Sequence, residues 1–156
     1  MEHVNGSAAR SDFCIFEPPG KECSAREHLL LFRDRLVVVL LNRFPYANGH
    51  LLVAPRRHVA DITELQHEEH RALMELLSYS CSVLRRRIKA KGINIGLNLG
   101  ACAGAGIADH LHFHVVPRWS GDHNFMTVLA DIRIIPQHIE ESFDMLLPDF
   151  QHLSSQ

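Results

Sequence analysis

An α+β domain built on a mainly antiparallel five-stranded sheet, with one long helix and a C-terminal helix, is the fold class that three features of this chain predict. Short apolar runs broken by turn residues crowd the stretch between positions 29 and 55. One long segment of three- and four-residue apolar spacing follows His67. A second pair of short runs, Ile93 to Leu99 and His110 to Val116, is joined by a glycine-rich loop.

Leu29 to Phe32 and Leu36 to Asn42 flank Arg33, Asp34 and Arg35, which suits two strands of a hairpin. After the turn signals Pro45, Asn48 and Gly49, His50 to Ala54 reads as a third strand stopped by Pro55. From about His67, Leu73, Leu76, Leu77, Ser80 or Cys81, Leu84 and Ile88 recur at helical steps, and Gly92 supplies the stop. Ile93, Ile95, Leu97 and Leu99 alternate with Asn94, Gly96 and Asn98, the pattern of a half-buried strand. The next strand follows across one loop, so the two are expected to be antiparallel. Arg133 to Ile135 reads as a short strand, and Pro136 opens a helix carrying Ile139, Phe143, Leu146 and Leu147. The organisation expected is a flexible tail over 1–12, one domain over 13–147 and a C-terminal tail over 148–156.

The bulk properties narrow the function. A chain of 156 residues suits one compact core. The formal charge is −2, and Lys and Arg form no long stripe, so there is no electrostatic case for a nucleic-acid partner. Arg85, Arg86, Arg87, Lys89 and Lys91 are the one basic cluster, read as a solvated face near a helix C-terminus. The longest apolar run, Leu36 to Leu41, has six residues where a membrane span needs about twenty, so no membrane partner is expected. Residues 1–12 hold no signal-like stretch, and Cys14, Cys23, Cys81 and Cys102 show no paired framework. A reducing, cytoplasmic setting is expected.

The stretch His110-Leu-His-Phe-His-Val-Val116 carries the chemistry. In a strand, alternate side chains share a face, so His110, His112 and His114 stand together while Leu111, Phe113 and Val115 meet the core. Upstream, Gly100 to Gly106 is a small, flexible run suited to close backbone approach to a ligand and unsuited to a helix. Two chemistries fit. The three imidazoles could be metal ligands of a zinc hydrolase. Alternatively, His112 attacks phosphorus while the glycine loop offers N–H groups to a phosphate and a flanking His serves the leaving group. Asn42 reads as a turn residue on its own, Cys102 as a small loop residue, and Asp109 as part of a turn. Trp119, the sole Trp, suits either packing on the terminal helix or stacking on a base.

Taken together, the His110 to Val116 stretch and the block Asn42-Arg-Phe-Pro-Tyr-Ala-Asn-Gly-His50 with Leu51 to Pro55 resemble the signatures of the histidine triad (HIT) family. Asn98 to Gly100, Ala103 to Ile107, Val116 to Trp119, Gly121-Asp122 and Asn124 to Met126 resemble its branch of bacterial diadenosine tetraphosphate phosphorylases, or ATP adenylyltransferases. The likeness covers about residues 13–147. It implies a dinucleoside polyphosphate or AMP ester or amide as substrate, an AMP–histidine intermediate, no catalytic cofactor, and a homodimer joined at sheet edges. The family nucleophile falls on His112, the leaving-group His on His114, the orienting His on His110 and a further active-site His on His50. The ribose-contacting Asn matches Asn42, the strand-ending polar residue matches Asn98, and the phosphate-cradling turn matches Ala105, Gly106 and Ile107. Trp119 is carried as a substrate-binding candidate.

Two departures stand out. Many relatives carry a Gln, Ser or Thr just before the triad, where Gly106, Ile107 and Ala108 here offer only backbone, and one lost donor can matter by roughly a hundredfold. Several branches also hold a structural zinc through an N-terminal Cys-x-x-Cys. Here the segment reads Cys14-Ile-Phe-Glu17, so Cys14, Glu17, His58 and His110 are the candidate ligands, with Cys23 as a substitute. A nucleotide-binding regulator without turnover is the remaining alternative.

Overall fold

The computed structural model describes residues 14–17, 24–122 and 136–153. Five strands form one sheet, β1 (Leu30–Arg33), β2 (Val37–Leu41), β3 (Leu51–Pro55), β4 (Gly92–Leu97) and β5 (Phe113–Arg118), in the order β1-β2-β3-β5-β4, each neighbouring pair antiparallel. Helices α1 (His67–Arg87) and α2 (Pro136–Leu153) pack on one face. Phe143, Leu146 and Phe150 of α2 and Leu73, Leu76, Leu77, Val83 and Leu84 of α1 close over Val37, Val39, Leu51, Val53, Leu111 and Val115. Each strand residue in that set alternates with one facing the other side, as a two-residue period requires.

The opposite face holds a smaller core of Phe16, Val38, Leu40, Leu52 and Ala54, beside the imidazoles. Because β2 and β3 are covered on both sides, they are apolar throughout. The start of α1 is fixed by Glu69, whose carboxylate accepts from the Gln66 N–H at 2.8 Å and takes Arg57 in a two-pronged pair at 3.0 and 2.7 Å.

Several expectations shift. The α2 helix runs to Leu153, past the boundary expected at 147, through Pro148 and with Phe150 fully buried. Arg86 and Arg87 explain its anchoring. Both pair with Asp149, and Tyr79 donates to the Asp149 carbonyl at 2.7 Å, so part of the basic cluster is a clasp between helices rather than a solvated face. Ile95 is 48% exposed because β4 is the sheet's outer strand, which alternation alone does not reveal. Ala101–Ala103 form a single 3₁₀ turn within the glycine loop, bounded by Gly100 and Gly104 at φ of 79° and 85°. The tail over 1–12, the strand expected at Arg133 to Ile135, Cys23 and Asn124 to Met126 lie outside the described residues.

Candidate active site

The β5 ladder begins at Phe113, three residues later than the alternating pattern suggests, and the delay has chemical consequences. Ahead of it, Leu111 N–H bonds to the Val59 carbonyl at 2.7 Å, so Leu111 still enters the main core while His110 stays off the sheet ladder. The His110 carbonyl is thereby free to accept from the His112 ring, with Nδ1 at 2.8 Å. A carbonyl can only accept, so Nδ1 of His112 carries the hydrogen and Nε2 carries the lone pair. No partner for Nε2 occurs among the described residues. His112 is 5% exposed, its ring 5.0 Å from those of Phe16 and His114.

A second chain of assignments starts at Tyr46. Its backbone N–H donates to Nδ1 of His50 at 3.1 Å, which makes that nitrogen an acceptor and leaves the hydrogen on Nε2. Nε2 of His50 then donates to Nδ1 of His114 at 3.0 Å, and the remaining hydrogen of His114 sits on its own Nε2. Burial, followed by the neighbouring His114 and His112 imidazoles, pushes His50 down to about 3. Burial first, and His112 second, hold His114 below the ordinary imidazole value. Both rings are therefore neutral near pH 7, as the relay requires.

His112 and His114 open on a cavity of about 530 Å³, of the size that holds a small-molecule ligand. Leu29, Leu41, Phe44, Tyr46 and Ile107 supply apolar wall, and Asn42, His112, His114 and the backbone at Gly104 and Gly106 supply the polar side. Asn42 both turns the chain and lines the cavity: its Oδ1 accepts from Phe44 N–H at 3.0 Å and its Nδ2 lies 3.3 Å from Nδ1 of His50. A β-carbon at Gly104 or Gly106 would meet nothing within 4 Å, so open space adjoins the loop backbone on that side.

At the far end of the imidazole row, ligand atoms of Cys14, Glu17, His58 and His110 lie within 4.8 Å of one another. Cys14 Sγ is 3.3 Å from Nδ1 of His110, and Glu17 Oε2 is 2.9 Å from Nδ1 of His58. Nε2 of His110 donates to the Pro55 carbonyl at 2.8 Å, which leaves Nδ1 with its lone pair toward Cys14. One sulfur, one carboxylate oxygen and two imidazole nitrogens form a donor set that zinc accepts. Burial raises the Cys14 thiol, so a bound cation is what would draw off its proton.

The structure thus gathers His112, His114, Asn42, Gly106 and Ile107 at one cavity, with His50 buried behind His114, and Cys14, Glu17, His58 and His110 at one cluster. His110 joins the two through its side chain and its carbonyl. Two candidates sit elsewhere, and one lies beside the lining. Asn98 reaches the Gly104 carbonyl at 3.5 Å, steadying the glycine loop from behind. Trp119 donates its indole N–H to the Ile88 carbonyl at 3.2 Å and packs at the end of α1, a different partner from the terminal helix or the base that the sequence suggests. Ala105 neighbours the lining residues Gly104 and Gly106 without being one. Sequence reasoning missed Tyr46, whose contribution is a backbone N–H that any residue but proline supplies, and Phe16, an apolar residue between two ligand candidates.

The chain belongs to the HIT family: the HIT domain profile matches residues 25–121. Among curated relatives, an AP-4-A phosphorylase of Mycobacterium tuberculosis is 39% identical over 129 residues, covering 83% of this chain and 66% of that protein. The chain therefore spans just under two thirds of that relative's length. A bis(5'-adenosyl)-triphosphatase of Dictyostelium discoideum is 31% identical over 93 residues, covering 60% of this chain and 62% of the relative. Among solved structures, a Zn-bound histidine triad family protein from Mycobacterium smegmatis superposes with a TM-score of 0.65 at 29% identity, covering 81% of this chain and 86% of that one.

Proposed function

We propose that the protein is a nucleotidyl hydrolase or transferase that attacks the α-phosphate of a dinucleoside polyphosphate, or of an AMP ester or amide, and passes through an AMP–histidine intermediate on His112. The observation that carries this reading is the hydrogen bond from Nδ1 of His112 to the His110 carbonyl, which leaves on Nε2, at a cavity wall, a lone pair with no partner among the described residues. Nε2 bonds to phosphorus as the leaving nucleotide departs. His114, with its hydrogen on Nε2, donates to the phosphate or the leaving oxygen, and the loop amides near Gly106 steady the developing charge. A neutral imidazole is a hydrogen-bond donor rather than a strong acid. It suits a leaving phosphate, whose last pKa is about 6, better than a leaving amine, and this favours the dinucleotide over the amide. Asn42 and the apolar wall would hold the nucleoside. The names of the Mycobacterium and Dictyostelium relatives point to the same substrate class.

The three-imidazole metal alternative fits less well, because His114 carries its hydrogen on Nε2 and so turns no lone pair outward, and of the three imidazoles only His110 belongs to the ligand cluster. A structural zinc held by Cys14, Glu17, His58 and His110 is part of the proposal, supported by the Zn-bound relative. So is a homodimer through the outer edge of β4, where Ile95 and Leu99 are exposed. No helix among the described residues is long and apolar enough to cross a membrane. The cytoplasmic setting rests on the unpaired cysteine pattern.

Incubation with diadenosine tetraphosphate, with and without inorganic phosphate, tests the reading. ADP plus ATP marks a phosphorylase, and AMP plus ATP a hydrolase. Protein denatured at alkaline pH, where a phosphorus–imidazole bond survives, should carry an adenylyl mass on His112 that His112→Asn lacks. No turnover and no adduct would end the enzymatic claim.

A further inference from the structure

Phe16 lies in a four-residue described segment outside any strand or helix, yet its ring is fully buried. The segment is tied at both ends, by Cys14 against His110 and by Glu17 against His58. Between these ties the Phe16 ring rests on Val38, Leu40, Leu52 and Ala54, with Ile107 of the glycine loop beside it. Two imidazoles also face it. The His112 ring is stacked on it at 5.0 Å and 30°, and the His110 ring is tilted against it at 4.9 Å and 46°.

We infer that Phe16 is a positioning residue for His112, an aromatic backstop that keeps Nδ1 on the His110 carbonyl and Nε2 free. One neutral hydrogen bond favours an orientation by only about fivefold, so the bond to His110 leaves a ring flip accessible unless packing opposes it. Phe16 supplies that packing on one side, and the edge of His114 supplies it on another. The stack also suits the covalent step, an argument that rests on the function proposed above. When Nε2 forms its bond to phosphorus, the P–O bond to the leaving nucleotide breaks and its electron pair leaves with oxygen. Nδ1 keeps its proton, so the ring becomes an imidazolium, and a stacked aromatic face favours a cation over a neutral ring.

The test reads the ring directly. In protein carrying nitrogen-15 histidine, at about pH 8.5 where an ordinary imidazole is neutral, His112 should show a single Nδ1–H form, its signals identified by their loss in His112→Asn. Phe16→Leu should turn this into a mixture of tautomers and lower kcat by roughly ten- to a hundredfold with KM nearly unchanged. Phe143→Leu, which trims a ring buried in the other core, should lower Tm while leaving the tautomer and kcat alone. If Phe16→Leu does not fold, Phe16→Met, more adaptable in shape, is judged by the same two readouts. A pure Nδ1–H form with wild-type kcat in the folded variant overturns the inference. Absence of turnover in the wild type would sink the proposed function, while the tautomer spectrum would still decide the role of Phe16.

Discussion

The two ends of the imidazole row are made of the same side chain and are set for opposite tasks by what the backbone offers them. At the His50 end, the first partner is a donor, the Tyr46 N–H, so Nδ1 must accept and hydrogens run outward through His50 to His114. At the His110 end, the first partner is an acceptor, the Pro55 carbonyl, so Nε2 must donate and a lone pair is left toward a thiol and a carboxylate. One end carries a run of hydrogen bonds toward the cavity, and the other gathers potential ligand atoms. His112 lies between them, with its hydrogen fixed by a third backbone group, the His110 carbonyl. Histidine spacing alone does not distinguish these roles; the peptide groups do.

The largest break in this contrast should come from His50→Leu, which strands the Tyr46 N–H and removes the donor to His114. We expect kcat on diadenosine tetraphosphate to fall by roughly 10²-fold with a smaller change in KM, measured by product chromatography. A fall under threefold would remove His50 from the relay. Next is acidity. The His50 proton is bound in the unfolded chain below the ordinary value of 6.5 but in the folded protein only near 3, so its stability contribution is full above 6.5 and declines as pH falls toward 3. Between about pH 6.5 and 5 this should cost about 2 kcal/mol in urea titrations, with His114 adding in the same direction, and His50→Leu should flatten the slope.

A smaller effect sharpens the other end. Glu17→Cys replaces a hard oxygen by a thiolate and should tighten zinc by about tenfold in competition with a chromophoric chelator, about 1.4 kcal/mol. An unchanged affinity would separate Glu17 from the cluster. Least disruptive of all, Trp119→Phe loses only the bond to Ile88 and should lower stability by about 1 kcal/mol while KM stays put. A severalfold rise in KM would return Trp119 to the cavity.

Much of this was legible in the chain. Apolar period located all five described strands and α1, and the two motif blocks marked His50, His112, His114 and Asn42 as candidates for one site. What escaped has physical causes. The tautomer chain begins at backbone groups of Tyr46, Pro55 and His110, which carry no residue-type signal. The length of α2 escaped because its apolar pattern was followed only to Leu147, whereas Asp149 and Phe150 tie the last turns to α1 and the core. Phe16 escaped because one buried ring in an irregular segment makes no pattern. Ile95 looked half-buried because alternation reports faces and not edges.

Gly49 joins the two halves of the molecule more tightly than its size suggests. It stands at φ of 84° just before His50, and a β-carbon there would come within 2.6 Å of Ile88 Cδ1 at the end of α1. A turn of the Ile88 side chain relieves that contact, so the firmer obstacle to any other residue is the left-handed backbone at Gly49, which an L side chain strains just ahead of the imidazole that Tyr46 orients. Engineering of this scaffold for other leaving groups therefore has latitude along the cavity wall and little at this turn, where any side chain would strain the backbone that sets His50 against the Tyr46 N–H.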